Sequence, residues 1–120
     1  PIVARDRDPG AVRMARENAE RAGVGDIVRI EQRDLRDVVP PAAEGLWVSN
    51  APWGKRVGAA ADLRTLFATV GALAQHAFAP WRVALLVGDE RHLRETGIGY
   101  TRVLATRAGG LPVLLGGLET

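Results

Sequence analysis

The chain contains no cysteine, which excludes disulfide scaffolds, zinc–thiolate centres and cysteine nucleophiles. Aromatic residues make up only 5%, methionine occurs once, and Lys55 is the single lysine among 16 basic residues. No apolar run approaches the length needed to span a bilayer, so no membrane partner is expected. The opening residues, Pro1 to Asp8, carry charges where the apolar core of a secretion signal belongs. A cytoplasmic location is the expectation.

What is present describes an ordinary globular chain. Its 120 residues allow one domain at most, and 47% hydrophobic with 25% charged residues argues against disorder. The net charge is +2. The sequence pI of 9.9 overstates the basicity, because with no Cys, Tyr100 and Lys55 are almost the only side chains that lose a proton above neutrality. Such a balance does not by itself drive the chain to nucleic acid.

The apolar pattern alternates between strand and helix. Ile2-Val3-Ala4 reads as a strand, and Asp8-Pro9 as a helix start, with a carboxylate cap followed by proline at the first helical position. Val12, Ala15, Ala19 and Ala22 line the inner face of a helix that stops at Gly23. Ile27–Ile30 and Leu46–Ser49 read as further strands, and Asp62–Phe78 as the clearest helix, with Leu63, Leu66, Phe67, Val70, Leu73, Ala74 and Ala77 on one face. Val83–Val87 is apolar throughout, as in a strand covered on both faces of a parallel sheet. A short helix over Glu90–Glu95 and a hairpin of Tyr100–Thr106 with Leu111–Leu115 complete the pattern. The fold class is α/β, a mostly parallel Rossmann-like sheet with one reversed strand at an edge.

In such sheets ligands lie beyond the carboxyl ends of the strands. Asp6, Asp8, Asp34 and Asn50 to Trp53 all fall just past a strand end. Asp8 reads as the helix cap; Asp6 can accept hydrogen bonds from both hydroxyls of a ribose or share the capping. Asp34 can accept from an exocyclic adenine amine or serve as a turn aspartate. Asn50-Ala51-Pro52-Trp53-Gly54 carries the most chemistry. Asn50 offers an acceptor, Pro52 fixes the backbone, and Trp53 presents a stacking face for a planar base whose amine attacks an electrophilic methyl group; the alternative is a tight turn with Trp53 covering the core edge. Lys55 and Arg56 suit either nucleic-acid phosphates or a solvated loop. His76 reads as a helix C-terminal residue, His92 as surface, and Trp47 and Trp81 as core. No Ser-His-Asp grouping, metal-ligand spacing or P-loop is present, so no metal is expected.

Asp6-Arg7-Asp8-Pro9, Ala15-Arg16-Glu17-Asn18-Ala19 with Ala22-Gly23, Asp34 and Asn50 to Gly54 together resemble the class I S-adenosylmethionine-dependent methyltransferases. More narrowly, they are similar to the RNA guanine-N2 methyltransferases that usually carry a THUMP domain upstream. The Arg107-Ala108-Gly109-Gly110-Leu111-Pro112-Val113 segment resembles that group's terminal hairpin. The resemblance implies S-adenosylmethionine as cofactor and RNA as substrate. Asp6 would bind the ribose, Asp34 the adenine amine, and Asn50, Pro52 and Trp53 would form the target-amine motif; Asn50 also faces the cofactor, and Trp53, Lys55 and Arg56 face substrate. Ala51 stands where the group often has a second proline. The group's first strand and its glycine-rich loop are absent from residues 1–120, which reads as part of a catalytic domain. A sheet without that central strand is expected to have a gap unless the strands ending at Asp6 and Asn50 pair directly or an upstream domain or a second copy completes it. The 120-residue piece alone is expected to bind the cofactor weakly or not at all. Methylation of adenine N6 or a protein glutamine is the alternative activity; a non-catalytic RNA-binding module is the alternative class.

Overall fold

The computed structural model describes residues 1–50 and 60–120. They fall into two compact units, Pro1–Pro41 and Ala42–Thr120.

In the first unit, β1 (Ile2–Asp6) and β2 (Val28–Gln32) pair in parallel from Ile2↔Val28 to Asp6↔Gln32, joined by α1 (Pro9–Arg21). The Asp8 carboxylate caps α1 by accepting the Ala11 N–H at 2.8 Å, and Pro9 takes the first helical position. Val12 is buried and Ala15 and Ala19 are half-buried, so a small-residue face turns inward. Ala22, expected on that face, is instead the exposed C-terminal cap. Ile27 also lies outside its expected strand. The Ile27 and Val28 N–H groups both donate to the Val24 carbonyl, so the chain is still turning there and β2 begins one residue later.

Side-chain-to-backbone bonding guards the outer edge of β2. The Arg33 N–H donates to the Asp6 carbonyl, so Glu31 and Arg29 also aim their backbone groups at β1, and Ile30 aims away. The Arg16 guanidinium fills that outer position, donating to the Ile30 carbonyl at 2.9 Å.

The second unit holds β3 (Leu46–Asn50), α2 (Ala60–Gln75), β4 (Arg82–Val87), α3 (Arg91–Glu95), β5 (Tyr100–Ala108) and β6 (Leu111–Leu118). Its sheet runs β3-β4-β6-β5, with β3 and β4 parallel and β6 antiparallel to both neighbours. The reversed strand is therefore β6, and it lies inside the sheet with β5 at the edge. The hairpin turns through Gly109 and Gly110, at φ 56° and 80°, a backbone sign that suits the right-handed twist of the flanking strands.

Phe67 of α2, Leu85 and Val87 of β4 and Leu93 of α3 are the largest wholly buried side chains among the described residues of this unit. Gly71 lets α2 approach the segment after α3. A β-carbon there would stand 1.8 Å from the Thr96 carbonyl oxygen. α2 stops at Gln75, short of the expected Phe78, and Ala77 is exposed. Phe78 is buried in the following turn, against Trp47 at 4.8 Å and edge-on to Trp81 at 5.3 Å between ring centroids. Both tryptophans thus serve the core, as expected.

The described strands thus form two sheets, β1-β2 in the first unit and β3-β4-β6-β5 in the second. No helix among the described residues is long and apolar enough to cross a membrane.

Candidate functional site

β1 delivers Asp6 to its carboxyl end, where the side chain is exposed. Its Oδ1 accepts the Asp8 N–H at 2.9 Å, and Oδ2 has no partner among the described residues. Asp8 is committed elsewhere, to the α1 cap. The two acids of Asp6-Arg7-Asp8 are thus divided: one holds the helix, and the other keeps an oxygen without a partner among the described residues.

The parallel ladder brings Asp34 to the neighbouring strand end. β2 closes at Gln32, opposite Asp6, and the Arg33 N–H to Asp6 carbonyl bond of 2.9 Å extends the pairing by one step. Asp34 then caps a single 3-10 turn, Leu35–Asp37. Its Oδ1 accepts the Arg36 backbone N–H at 2.9 Å and Arg36 Nε at 2.9 Å, while Oδ2 accepts Arg36 Nη2 at 3.0 Å. The guanidinium fork, then the backbone N–H, hold the Asp34 carboxyl well below the usual carboxylate range. The turn-aspartate role and a partly exposed, ionised acceptor therefore coexist in one side chain. Sequence reasoning missed Arg36. The signal was present as Asp-x-Arg at the start of a turn, a spacing at which a side chain can fold back onto its own cap.

In the second unit, Asn50 is the last residue of β3, exposed and in register with Leu86 of β4. Pro52, Trp53, Lys55 and Arg56 lie outside the described residues, as does Ala51.

His92 differs from expectation. It is 5% exposed, stacked on Phe67 with ring centroids 4.5 Å apart, and its Nδ1 sits 2.9 Å from Glu95 Oε2. The short α3 presses its inward face onto α2, and one turn is too short for a sequence pattern to reveal which face that is. His76 follows the end of α2 and is exposed. Among the described residues no cluster of three or more His, Cys, Asp or Glu is arranged to hold a metal ion.

Comparison with known proteins adds to this geometry. Residues 1–98 match the family described as the RMKL-like methyltransferase domain. A ribosomal RNA large subunit methyltransferase K/L of Syntrophotalea carbinolica is 39% identical over 114 residues, covering 92% of this chain and 16% of that protein. The protein of the same description from Allochromatium vinosum is 34% identical over 100 residues, covering 82% of this chain and 14% of its own length. The chain thus spans about a sixth of these curated relatives. The crystal structure of SMU.472 complexed with SAH superimposes with a TM-score of 0.88 at 26% identity, over 98% of this chain and 31% of that one. TrmN from Thermus thermophilus shares the fold, with a TM-score of 0.71 at 24% identity over 100% of this chain and 36% of its own.

Proposed function

The chain belongs to the RMKL-like methyltransferase domain family, and from that premise we propose that it contributes to S-adenosylmethionine-dependent methylation of the N2 amine of guanine in RNA. The observation that carries the reading is positional: Asp6, Asp34 and Asn50 each stand at or just beyond the carboxyl end of a strand in a parallel pair. Relatives described as ribosomal RNA methyltransferases and the SAH-bound neighbour support the same substrate and cofactor classes.

The donor chemistry fits the cofactor. Asp6 has a carboxylate oxygen without a described partner, suited to ribose hydroxyls, and Asp34 is a fixed, ionised acceptor suited to an adenine amine. When bound, the cofactor supplies an electrophilic methyl group on a sulfonium. The role given to Asn50 is to accept a hydrogen bond from the amine of the target base, which leaves the nitrogen lone pair directed at the methyl group. Pro52 fixes the adjoining backbone, Trp53 stacks the base, and Lys55 and Arg56 hold phosphates. The base must be unpaired or flipped to reach such a site. Rate enhancement then comes mainly from positioning, with neither a covalent intermediate nor a metal.

Residues 1–120 are read as part of a catalytic domain working in the cytoplasm. An upstream domain or a second copy completing the sheet belongs to the same proposal. Ile2, Leu46 and Val48 are apolar strand residues more than half exposed, which supports it.

The test is methyl transfer from labelled donor to RNA, DNA and protein pools, using the full polypeptide with and without Asn50→Ala. Transfer to RNA that falls about 100-fold or more in the variant, with RNA binding nearly intact, is expected. Preference for DNA or protein would assign the alternative amine, and RNA binding without any transfer would assign a non-catalytic module.

A further inference from the structure

Resting on the cofactor reading above, we propose that Arg36 is a positioning residue for cofactor recognition. It clamps the Asp34 carboxylate so that one remaining acceptor position on Oδ2 meets the exocyclic amine of an adenine ring, and so makes the site select a 6-amino over a 6-oxo purine.

An ionised carboxylate offers about four acceptor positions, two on each oxygen. Arg36 occupies both on Oδ1, through its backbone N–H and Nε, and one on Oδ2, through Nη2. One position is left, on Oδ2. All three donors come from a single residue two positions away, so the clamp fixes both the rotation of the carboxylate and its distance from the 3-10 turn. The Arg36 side chain is 77% exposed and its described ion pair is with Asp34, so it does not serve the core. The ladder bond from the Arg33 N–H to the Asp6 carbonyl ties this clamp to the strand end that carries the ribose-facing acid.

A carboxylate held ionised is an acceptor only. Facing a 6-amino group it completes a hydrogen bond. Facing a 6-oxo group it meets lone pair with lone pair, and a buried polar group on the ligand is left unpaired. An unclamped carboxylate can rotate away from that conflict, so selectivity depends on the clamp and not only on Asp34. A purely structural role for Arg36, stiffening the turn, would instead weaken both purines alike.

The experiment is calorimetric titration of the full polypeptide with S-adenosylhomocysteine and its 6-oxo counterpart, S-inosylhomocysteine, with thermal melting to confirm folding. Wild type is expected to prefer the amino ligand by about 100-fold or more. Arg36→Ala should lose about tenfold in affinity for the amino ligand while the 6-oxo ligand changes little, narrowing the ratio. Arg36→Lys, which restores charge without the fork, should recover only part of it. Asp34→Asn should narrow the ratio further and supplies the same comparison if Arg36→Ala does not fold. An unchanged ratio in Arg36→Ala or Arg36→Lys, whether or not affinity falls, overturns the proposal. Wild type binding the amino ligand while Asp34→Asn behaves identically overturns it and leaves the cofactor reading standing. Wild type binding neither ligand overturns both.

Discussion

Asp6 and Asp8 show how two acids two positions apart come to different work. Asp8 was readable as a cap because Pro9 follows it, and the structure places its Oδ2 on the Ala11 N–H. Asp8→Ala is therefore expected to cost about 1 kcal/mol of stability in urea unfolding while leaving cofactor affinity unchanged. Asp6→Ala should do the reverse, weakening cofactor binding with little change in the unfolding midpoint, because the Asp8 N–H it releases is exposed and can bond water. Phe67 was legible as core from its helical spacing, but its partner was not. The stacked His92 comes from an element too short to carry a period. Phe67→Ala should cost about 3–5 kcal/mol, read in the same unfolding experiment.

Ion pairs tie some of the elements together, and their sign with pH can be worked out. The Arg5 side chain bonds Glu31 at 2.8 Å across β1 and β2, and lowers the Glu31 pKa from its ordinary 4.5. Glu90, at the start of α3, accepts from Arg102 Nε at 2.6 Å and from the Tyr100 hydroxyl at 2.8 Å on β5, and Arg102 followed by Tyr100 lowers it from 4.5 as well. A carboxyl depressed in the folded state stabilises above its unfolded pKa, and that contribution is lost as pH falls through the folded value. The melting temperature should therefore hold steady above about pH 5.5 and fall below about pH 4.5, and Glu31→Gln and Glu90→Gln should flatten that acid slope. Added salt should shrink the effect, since all these groups reach solvent. At the same scale Gly71→Ala is expected to be more damaging than any of these, because its β-carbon would collide with the Thr96 carbonyl. The existence and order of the elements followed from apolar periodicity. Their ends did not: Ala22, Ile27 and Ala77 fell outside because local N–H to carbonyl bonds, not side-chain pattern, decide where a helix stops or a strand begins.

At the scale of the whole molecule, stability is unevenly placed. The first unit has Val12 as its one buried hydrophobic residue among those described, whereas the second buries Phe67, Leu85, Val87 and Leu93 completely. Amide hydrogen exchange should therefore be faster in β1, α1 and β2 than in α2 and β4, as measured by mass spectrometry under native conditions. The sequence by itself determined the α/β class, the strand–helix order and the positions of Asp6, Asp34 and Asn50 at strand ends, because period and capping chemistry are local properties. Only the tertiary structure decided that β6 lies inside the sheet, that His92 is buried, and that Arg36 closes on Asp34 to leave a single acceptor position. Strand order and burial depend on contacts between residues far apart in the chain. The direction of one carboxylate depends on a side-chain geometry that spacing alone does not fix.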